Sequence, residues 1–183
     1  MTTLLFRRLD PRDANDRREW REVFRCAPGF TYATEGRTPS DEDADRMIDT
    51  LPRGKTPEDI FIHAIYADGQ LCGCSYVIRH HLVHGHACLV LLVLAENHQR
   101  RYLGVRCLAL IEDQARSWGC HRLTGVVDTA NTRALRFWLR LGFVEEGCQK
   151  LPGLVGDALI GSIALGPVPS GDGTSSGRLR QRG

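Results

Sequence analysis

Along this chain the spacing of apolar residues changes several times, and each change marks an element. Leu4 to Leu9 reads as a first strand. Asp10-Pro11 then predicts an N-cap with proline at the first helical position. Trp20, Val23, Phe24 and Ala27 recur at helical spacing until Pro28-Gly29 stops the run. The stretch GFTYATEGRTP is rich in turn formers. After it, Ser40 and Asp43 predict a capping box for a helix with Ala44, Met47, Ile48 and Leu51 on one stripe. Two helices are thus expected before the main sheet.

Ile60 to Ala67 and Leu71 to Arg79 are strand-like runs on either side of Asp68-Gly69, a strong hairpin signal. Cys88 to Leu94, CLVLLVL, is continuously apolar and suits a strand covered on both faces. From Leu103 the period becomes helical through Cys107, Leu110, Ile111, Ala115 and Trp118, and Gly119 ends it. Leu123 to Val127 predicts another strand, and Asn131 to Leu141 a helix with Ala134, Phe137, Trp138 and Leu141 on one stripe, closed by Gly142. Phe143 to Glu146 and Ala158 to Leu165 complete the strands. This order is that of a single α+β domain over residues 1–167, followed by a tail, 168–183, with almost nothing to bury and expected to be disordered. Its Arg178, Arg180 and Arg182 read as a solvated basic tail rather than a nucleic-acid footprint.

The 183 residues are 42% hydrophobic and 25% charged with a net charge of +2, so no strong field singles out nucleic acid as a partner. The first ten residues carry too short an apolar run for a signal peptide, and no stretch is long enough to span a bilayer, so a cytoplasmic location without membrane association is expected. Seven cysteines occur without a CxxC pair, an odd number that reads as reduced thiols. Cys72 and Cys74, two apart on a strand, are expected on one face.

The chemistry concentrates at AENHQRRYLG, between the apolar strand and the long helix. Amides at a helix start have no intrahelical partners and sit at the positive end of the dipole. Arg100 and Arg101 add charge to that anion cradle. The second informative segment is DTANTRALRFWLRLGF, in which Asn131 opens a helix that ends in Leu-Gly-Phe.

Together these segments resemble the GCN5-related N-acetyltransferase (GNAT) superfamily. Its loop reads Q/R-x-x-G-x-G/A, here Gln99, Arg100, Arg101, Tyr102, Leu103 and Gly104. Its later helix reads N-x-x-A-x-x-x-Y-x-x-x-G-F, here Asn131, Ala134, Trp138, Gly142 and Phe143. The clear resemblance spans about Cys88 to Gly147. It implies a three-layer α+β fold whose mixed, mostly antiparallel sheet of about six to seven strands is splayed between the fourth and fifth strands, flanked by about four helices. It further implies acetyl-CoA as co-substrate, no metal, and transfer of an acetyl or short acyl group to an amine of a small molecule or protein by direct attack in a ternary complex. Residues Gln99 to Val105 are then expected at the diphosphate. Leu92, Val93 and Leu94 would pair by main chain with the pantetheine arm, one N–H polarising the thioester carbonyl. Asn131 and Ala134 would flank the arm, and Trp138 would lie by the sulfur. A homodimer is left open.

Two departures bear on activity. Tyr102 stands at the first loop glycine, and Trp138, which is no proton acid near neutral pH, stands at the usual tyrosine. Trp138 also fits its helix's apolar stripe as a plain core residue. The glutamate some relatives carry five residues before the asparagine is Val126 here. Glu96, His98 and Asp128 remain as candidate bases. Three other functional readings stay open: a catalytically weak CoA-binding or protein-interaction module, His80, His81, His84 and His86 as polar loop, proton shuttle or metal ligands, and Asp41, Glu42, Asp43 and Asp45 as a lure for a cationic substrate.

Overall fold

The computed structural model describes residues 2–99, 102–150 and 155–166. The tail 168–183, like Arg100 and Arg101, lies outside the described residues. In chain order the elements are β1 (Leu4–Arg8), α1 (Ala14–Arg25), α2 (Pro28–Glu35), α3 (Asp41–Asp49), β2 (Ile60–Ala67), β3 (Gln70–Ile78), β4 (His86–Leu94), α4 (Leu103–Ser117), β5 (Arg122–Asp128), α5 (Thr132–Arg140), β6 (Val144–Gln149) and β7 (Ala158–Ala164). The strands form one mixed sheet in the order β1-β2-β3-β4-β5-β7-β6, with β4 and β5 parallel and every other pair antiparallel.

Two apolar clusters sandwich the sheet. On one face Trp20, Val23, Phe24 and Ala27 of α1 and its end, with Ala44 and Ile48 of α3, pack on Ile62, Ala64, Tyr76, Leu91 and Val93. On the other, Leu103, Cys107, Ile111 and Ala115 of α4 cover Ile65, Val77, Leu89 and Leu123. This is the expected three-layer fold, with five helices where about four are expected.

The fifth is α2. Pro28 does not stop a helix but occupies the first turn of a new one, where its missing N–H costs nothing. Gly36, at φ +71°, ends that helix in the left-handed conformation. A second correction concerns α1, which is capped by Asp13 rather than Asp10: the Asp13 carboxylate accepts from Asn15 and Asp16 N–H. The Ser40–Asp43 capping box forms as expected. So does the β2–β3 turn, with Asp68 at φ 49° and Gly69 at φ 81°.

Two irregularities reset which side chains face which layer. Ile65 pairs with Gly73 and Tyr66 with Leu71, leaving Cys72 as an extra residue. Cys72 therefore faces the α4 cluster and Cys74 the opposite one, against the expectation of a shared face. Likewise Tyr76 pairs with Leu91 and Val77 with Leu89, so Val90 is an extra residue in β4. Five of the seven cysteines are buried thiols, and burial pushes those of Cys72 and Cys107 up to about 11 and about 12.

Candidate active site

β4 and β5 pair only from His86↔Arg122 to Leu89↔Gly125. Beyond that, β4 runs on to Leu94 without β5, and the extra residue Val90 sits where the two strands part. Ala95 N–H donates to Cys72 C=O (2.9 Å), so that residue faces β3. By the alternation of an antiparallel ladder, Val93 also turns its main chain to β3, whereas Leu92 and Leu94 turn theirs to the edge β5 has left. Of the three residues expected to line this edge, two offer main-chain groups to it. The Leu94 carbonyl is taken by Gln99 Nε2 at 2.7 Å, which fixes the chain as it turns toward α4.

At the start of α4, Tyr102 has φ 57° and ψ 7° and makes no side-chain cap. The loop thus requires the left-handed conformation at this position, and a tyrosine that is 83% exposed adopts it. Arg106 N–H makes the first bond back, to Tyr102 C=O. The amides of Leu103, Gly104 and Val105 ahead of it lack an intrahelical acceptor. A Cβ on Gly104 would lie 3.1 Å from two ring carbons of Phe137, so the start of α4 packs closely on that ring of α5, which would have to shift slightly for any side chain here.

Asn131 caps α5, its Oδ1 accepting from Ala134 N–H at 3.1 Å. Its Nδ2 is left as the donor toward any ligand. Trp138 is half-buried, edge-on to Phe137 (5.0 Å between ring centres) and to Phe143 (4.8 Å). It packs on the core and retains an exposed part, so burial and a sulfur contact are compatible.

The three carboxylate and imidazole candidates differ in what already binds them. Asp128 is buried, and its oxygens accept from the N–H groups of Ala130 (2.8 Å), Gly156 (3.0 Å) and Val155 (3.2 Å). Its lone pairs are committed to tying the β5–α5 loop to residues 155–157. Glu96 is exposed, and its Oε1 accepts from Gly29 N–H at 3.0 Å. Since Ala27, the N-cap of α2, supplies no side-chain acceptor, Glu96 caps that helix from another element. His98 is half-buried at the end of the short 3-10 turn Glu96–His98.

Helix α2, missed in the sequence, is tied to both lips of the gap. Gly29 is held by Glu96 beyond β4, and Thr34 C=O accepts from Val155 N–H (2.9 Å), whose residue is also bound by Asp128 at the end of β5. Pro28 followed eight residues later by Gly36 was the signal for it.

The histidine run lies elsewhere. His80, His81 and His84 occupy the β3–β4 turn and His86 opens β4, whose nine residues at about 3.3 Å each put Leu94 some 26 Å away. That separation argues against a proton shuttle from the histidine run to the Leu94 end of the gap. His80 stacks on His84 (4.3 Å) and accepts from Gly85 N–H at 3.1 Å. Among the described residues no group of three or more His, Cys, Asp or Glu could hold a metal ion. The acidic cluster is laced to arginines, Asp41 with Arg25, Asp43 with Arg37 and Asp45 with Arg21. These three aspartates join α3 to its neighbours rather than standing open to a cation, and Glu42 alone of the four is exposed without an arginine partner among the described residues.

A parallel strand pair parted at its C-terminal ends, with an uncapped helix start following the free edge, leaves the sheet open between its two central strands. The model of the acetyltransferase (GNAT) family matches residues 17–143, and the chain belongs to that family. Among solved structures, an acetyltransferase from Thermus thermophilus is 24% identical with TM-score 0.70, covering 89% of this chain and 97% of its own. The ribosomal-protein-S18-alanine N-acetyltransferase from Escherichia coli is 16% identical with TM-score 0.61, covering 95% of this chain and all (100%) of its own. The spermidine N-acetyltransferase from Vibrio cholerae, in complex with CoA and spermine, is 16% identical with TM-score 0.66, covering 89% and 96%. At these identities the likeness is one of fold. No curated protein matches the sequence. No helix among the described residues is long and apolar enough to cross a membrane.

Proposed function

We propose that residues 1–167 form an N-acetyltransferase domain that moves an acetyl or short acyl group from acyl-CoA to a primary amine in a ternary complex. One observation carries the reading: the edge of β4 left by β5 leads directly into the uncapped start of α4. An arm with peptide-like groups that ends in a diphosphate needs those features in that order, strand-edge groups for the arm and unpaired amides for the phosphates. In this reading Gln99 to Val105 take the diphosphate, and Leu92 and Leu94 take the arm. Asn131 Nδ2 and Ala134 flank it, and Trp138 lies by the sulfur. A Leu92 or Leu94 N–H stabilises the charge that grows on the thioester oxygen. The amine and CoA named with the Vibrio cholerae enzyme support this choice of donor and acceptor class. The buried free thiols support a reducing, cytoplasmic setting.

The amine nitrogen attacks the carbonyl carbon, the C–N bond forms, the C–S bond breaks, and the thiolate leaves. A thiol with pKa about 8.5 leaves readily, whereas freeing an amine of pKa about 10.4 at pH 7 costs about 4–5 kcal/mol. The proton acceptor therefore controls the rate more than an acid does. Glu96 is our first candidate, because Oε2 makes no hydrogen bond among the described residues, and His98 is the second.

A second reading, a CoA-binding module with little turnover, draws on Tyr102 and Trp138 at positions where the family carries glycine and tyrosine. A thiol-release assay over polyamines, lysine peptides and peptide N-termini separates the two. Turnover with an amine, lost in Glu96→Gln or His98→Asn together with the acidic limb of the pH profile, supports the enzyme. Tight acetyl-CoA binding by calorimetry without turnover on any acceptor supports the module, and absence of CoA binding refutes both.

A further inference from the structure

The outer side of α5 differs in charge from every other amphipathic helix in the protein. In α1, Arg17, Arg21 and Arg25 each meet an aspartate of α3, and in α4, Arg116 meets Glu112 and Asp113. Helix α5, TRALRFWLR, contains no acid, and Arg133, Arg136 and Arg140 are all exposed. None of the three pairs with a carboxylate among the described residues. Arg140 Nε donates to the Arg136 carbonyl at 3.3 Å, which lays its side chain back along the helix beside Arg136. Leu139, 50% exposed, flanks them about 60° beyond Arg136. A face that only keeps a protein in solution mixes both signs and avoids exposed leucine. This one is a cationic stripe about 10 Å long with an exposed apolar residue along one flank.

Its position limits what can occupy it. The N-terminus of α5 follows the end of β5, at the mouth of the gap. At about 100° per residue the stripe lies roughly opposite Ala134 and Trp138, the residues turned inward. A small ligand threaded between the strands touches the inner side and cannot also cover the outer one. The occupant is broad enough to sit over the mouth and overlap α5, and it is acidic.

We infer that the α5 stripe docks an acidic carrier protein, which presents the acyl group on its own phosphopantetheine arm. The inference rests on the reading that such an arm enters between β4 and β5. The transfer is the one already described, with the carrier's arm as the thiol that leaves: the C–N bond forms, the C–S bond breaks, and the amine proton passes to the base. Complementary charge on a rim governs encounter more than chemistry, so the stripe acts on KM and on salt dependence rather than on kcat.

The test compares an acetylated acyl-carrier protein with acetyl-CoA as donors to the same amine. Three proteins are assayed: the wild type, the triple variant R133E/R136E/R140E, and the charge-conserving R133K/R136K/R140K. We expect the charge reversal to raise KM for the carrier about tenfold or more, with kcat held and the loss mimicked by added salt. Parameters for acetyl-CoA should stay within about twofold, and the lysine variant should retain most carrier use. Turnover with acetyl-CoA but none with the carrier overturns the inference and leaves the CoA reading standing, as does equal loss with both donors. Failure with both donors in the wild type overturns this inference, and absence of acetyl-CoA binding by calorimetry overturns the pantetheine reading beneath it.

Discussion

Lowering the pH should unfold this protein from inside its core, through His63. The ring is 1% exposed on the α4 face of β2, between Ser75 Oγ (3.1 Å from Nδ1) and Gln114 Nε2 (3.4 Å from Nε2), with Phe6 edge-on at 5.6 Å. Gln114 Nε2 can only donate, so Nε2 of the imidazole accepts, Nδ1–H donates to Ser75, and the neutral ring is the one that fits. Burial first, and the charge of Arg8 second, push its pKa from 6.5 down to about 4. A folded-state pKa below the unfolded one means that the unfolded chain binds the proton more tightly. The stability is then fully present above pH 6.5 and is lost as pH falls from there toward 4. At about 1.4 kcal/mol per pH unit the loss reaches about 3 kcal/mol, a large share of the 5–15 kcal/mol typical of a domain. Asp43, Asp45 and Asp59, whose carboxyls are held below the usual range by arginine partners and hydrogen bonds, lose their contributions only at lower pH. His80, His81 and His86 are also shifted down and share the window, so the decisive quantity is a difference. Urea unfolding at steps from pH 7.5 to 4.5 should show a steeper loss in the wild type than in His63→Gln, which keeps a donor and an acceptor without a titrating ring. An imidazole that titrates near 6.5 by NMR, or equal slopes in the two proteins, would refute the reasoning.

Three other outcomes follow from the geometry. Tyr102→Gly removes a left-handed strain of about 1–2 kcal/mol but loosens the unfolded chain by about 0.4–1 kcal/mol, so urea unfolding should show a net gain below about 1.5 kcal/mol; a less stable glycine variant would mean that the tyrosine ring contributes a contact that outweighs its backbone. Asp128→Asn places an amide NH2 or a single oxygen where three backbone N–H groups converge, and should cost about 1–3 kcal/mol in unfolding experiments. An intact fold with abolished transfer would instead assign Asp128 to proton removal. Gly104→Val presses a methyl-bearing carbon on Phe137 and should destabilise by about 1–3 kcal/mol; Phe137→Leu in the same protein should recover part of that, and strict additivity of the two changes would argue against the contact.

What the sequence disclosed and what it hid divide along a physical line. The Asp68-Gly69 turn, the Ser40–Asp43 box and the stripes of α4 and α5 are local: the residues that create each feature lie within a few positions of one another. They were legible. The gap between β4 and β5 was expected from the family resemblance alone: its causes, Val90 as an extra residue and pairing that ends at Leu89↔Gly125, leave no trace in a run such as CLVLLVL, where both faces are apolar. Cys72 is silent for the same reason, since a strand buried on both sides gives no alternation to break. Helix α2 was hidden differently: proline after a helix reads as a terminator, although the same residue starts a helix when its φ suits the first turn. Once α2 exists, its cap comes from Glu96, sixty-seven positions away, so no local pattern could announce it.

That cap ties the proposed chemistry to the fold. Glu96 holds α2 with one carboxylate oxygen and, as the proposed base, would offer the other to an incoming amine, and α2 is tied in turn, through Thr34 and Val155, to the loop that Asp128 secures at the end of β5. Movement of α2 therefore displaces the proposed base and loosens the opposite lip together. Glu96→Gln keeps an oxygen that accepts from Gly29 N–H but removes the basic carboxylate, so it should lower kcat with little change in the apparent affinity for amine. Thr34 enters this linkage through its backbone carbonyl, so substitutions of its side chain should leave kcat unchanged. A variant that breaks the cap while keeping a carboxylate is Gly29→Pro, which removes the N–H donor. If it lowers turnover as far as Glu96→Gln does, the bond to Gly29 is needed to hold the carboxylate where it acts; if it retains most of the activity while Glu96→Gln does not, the carboxylate takes the proton without that bond.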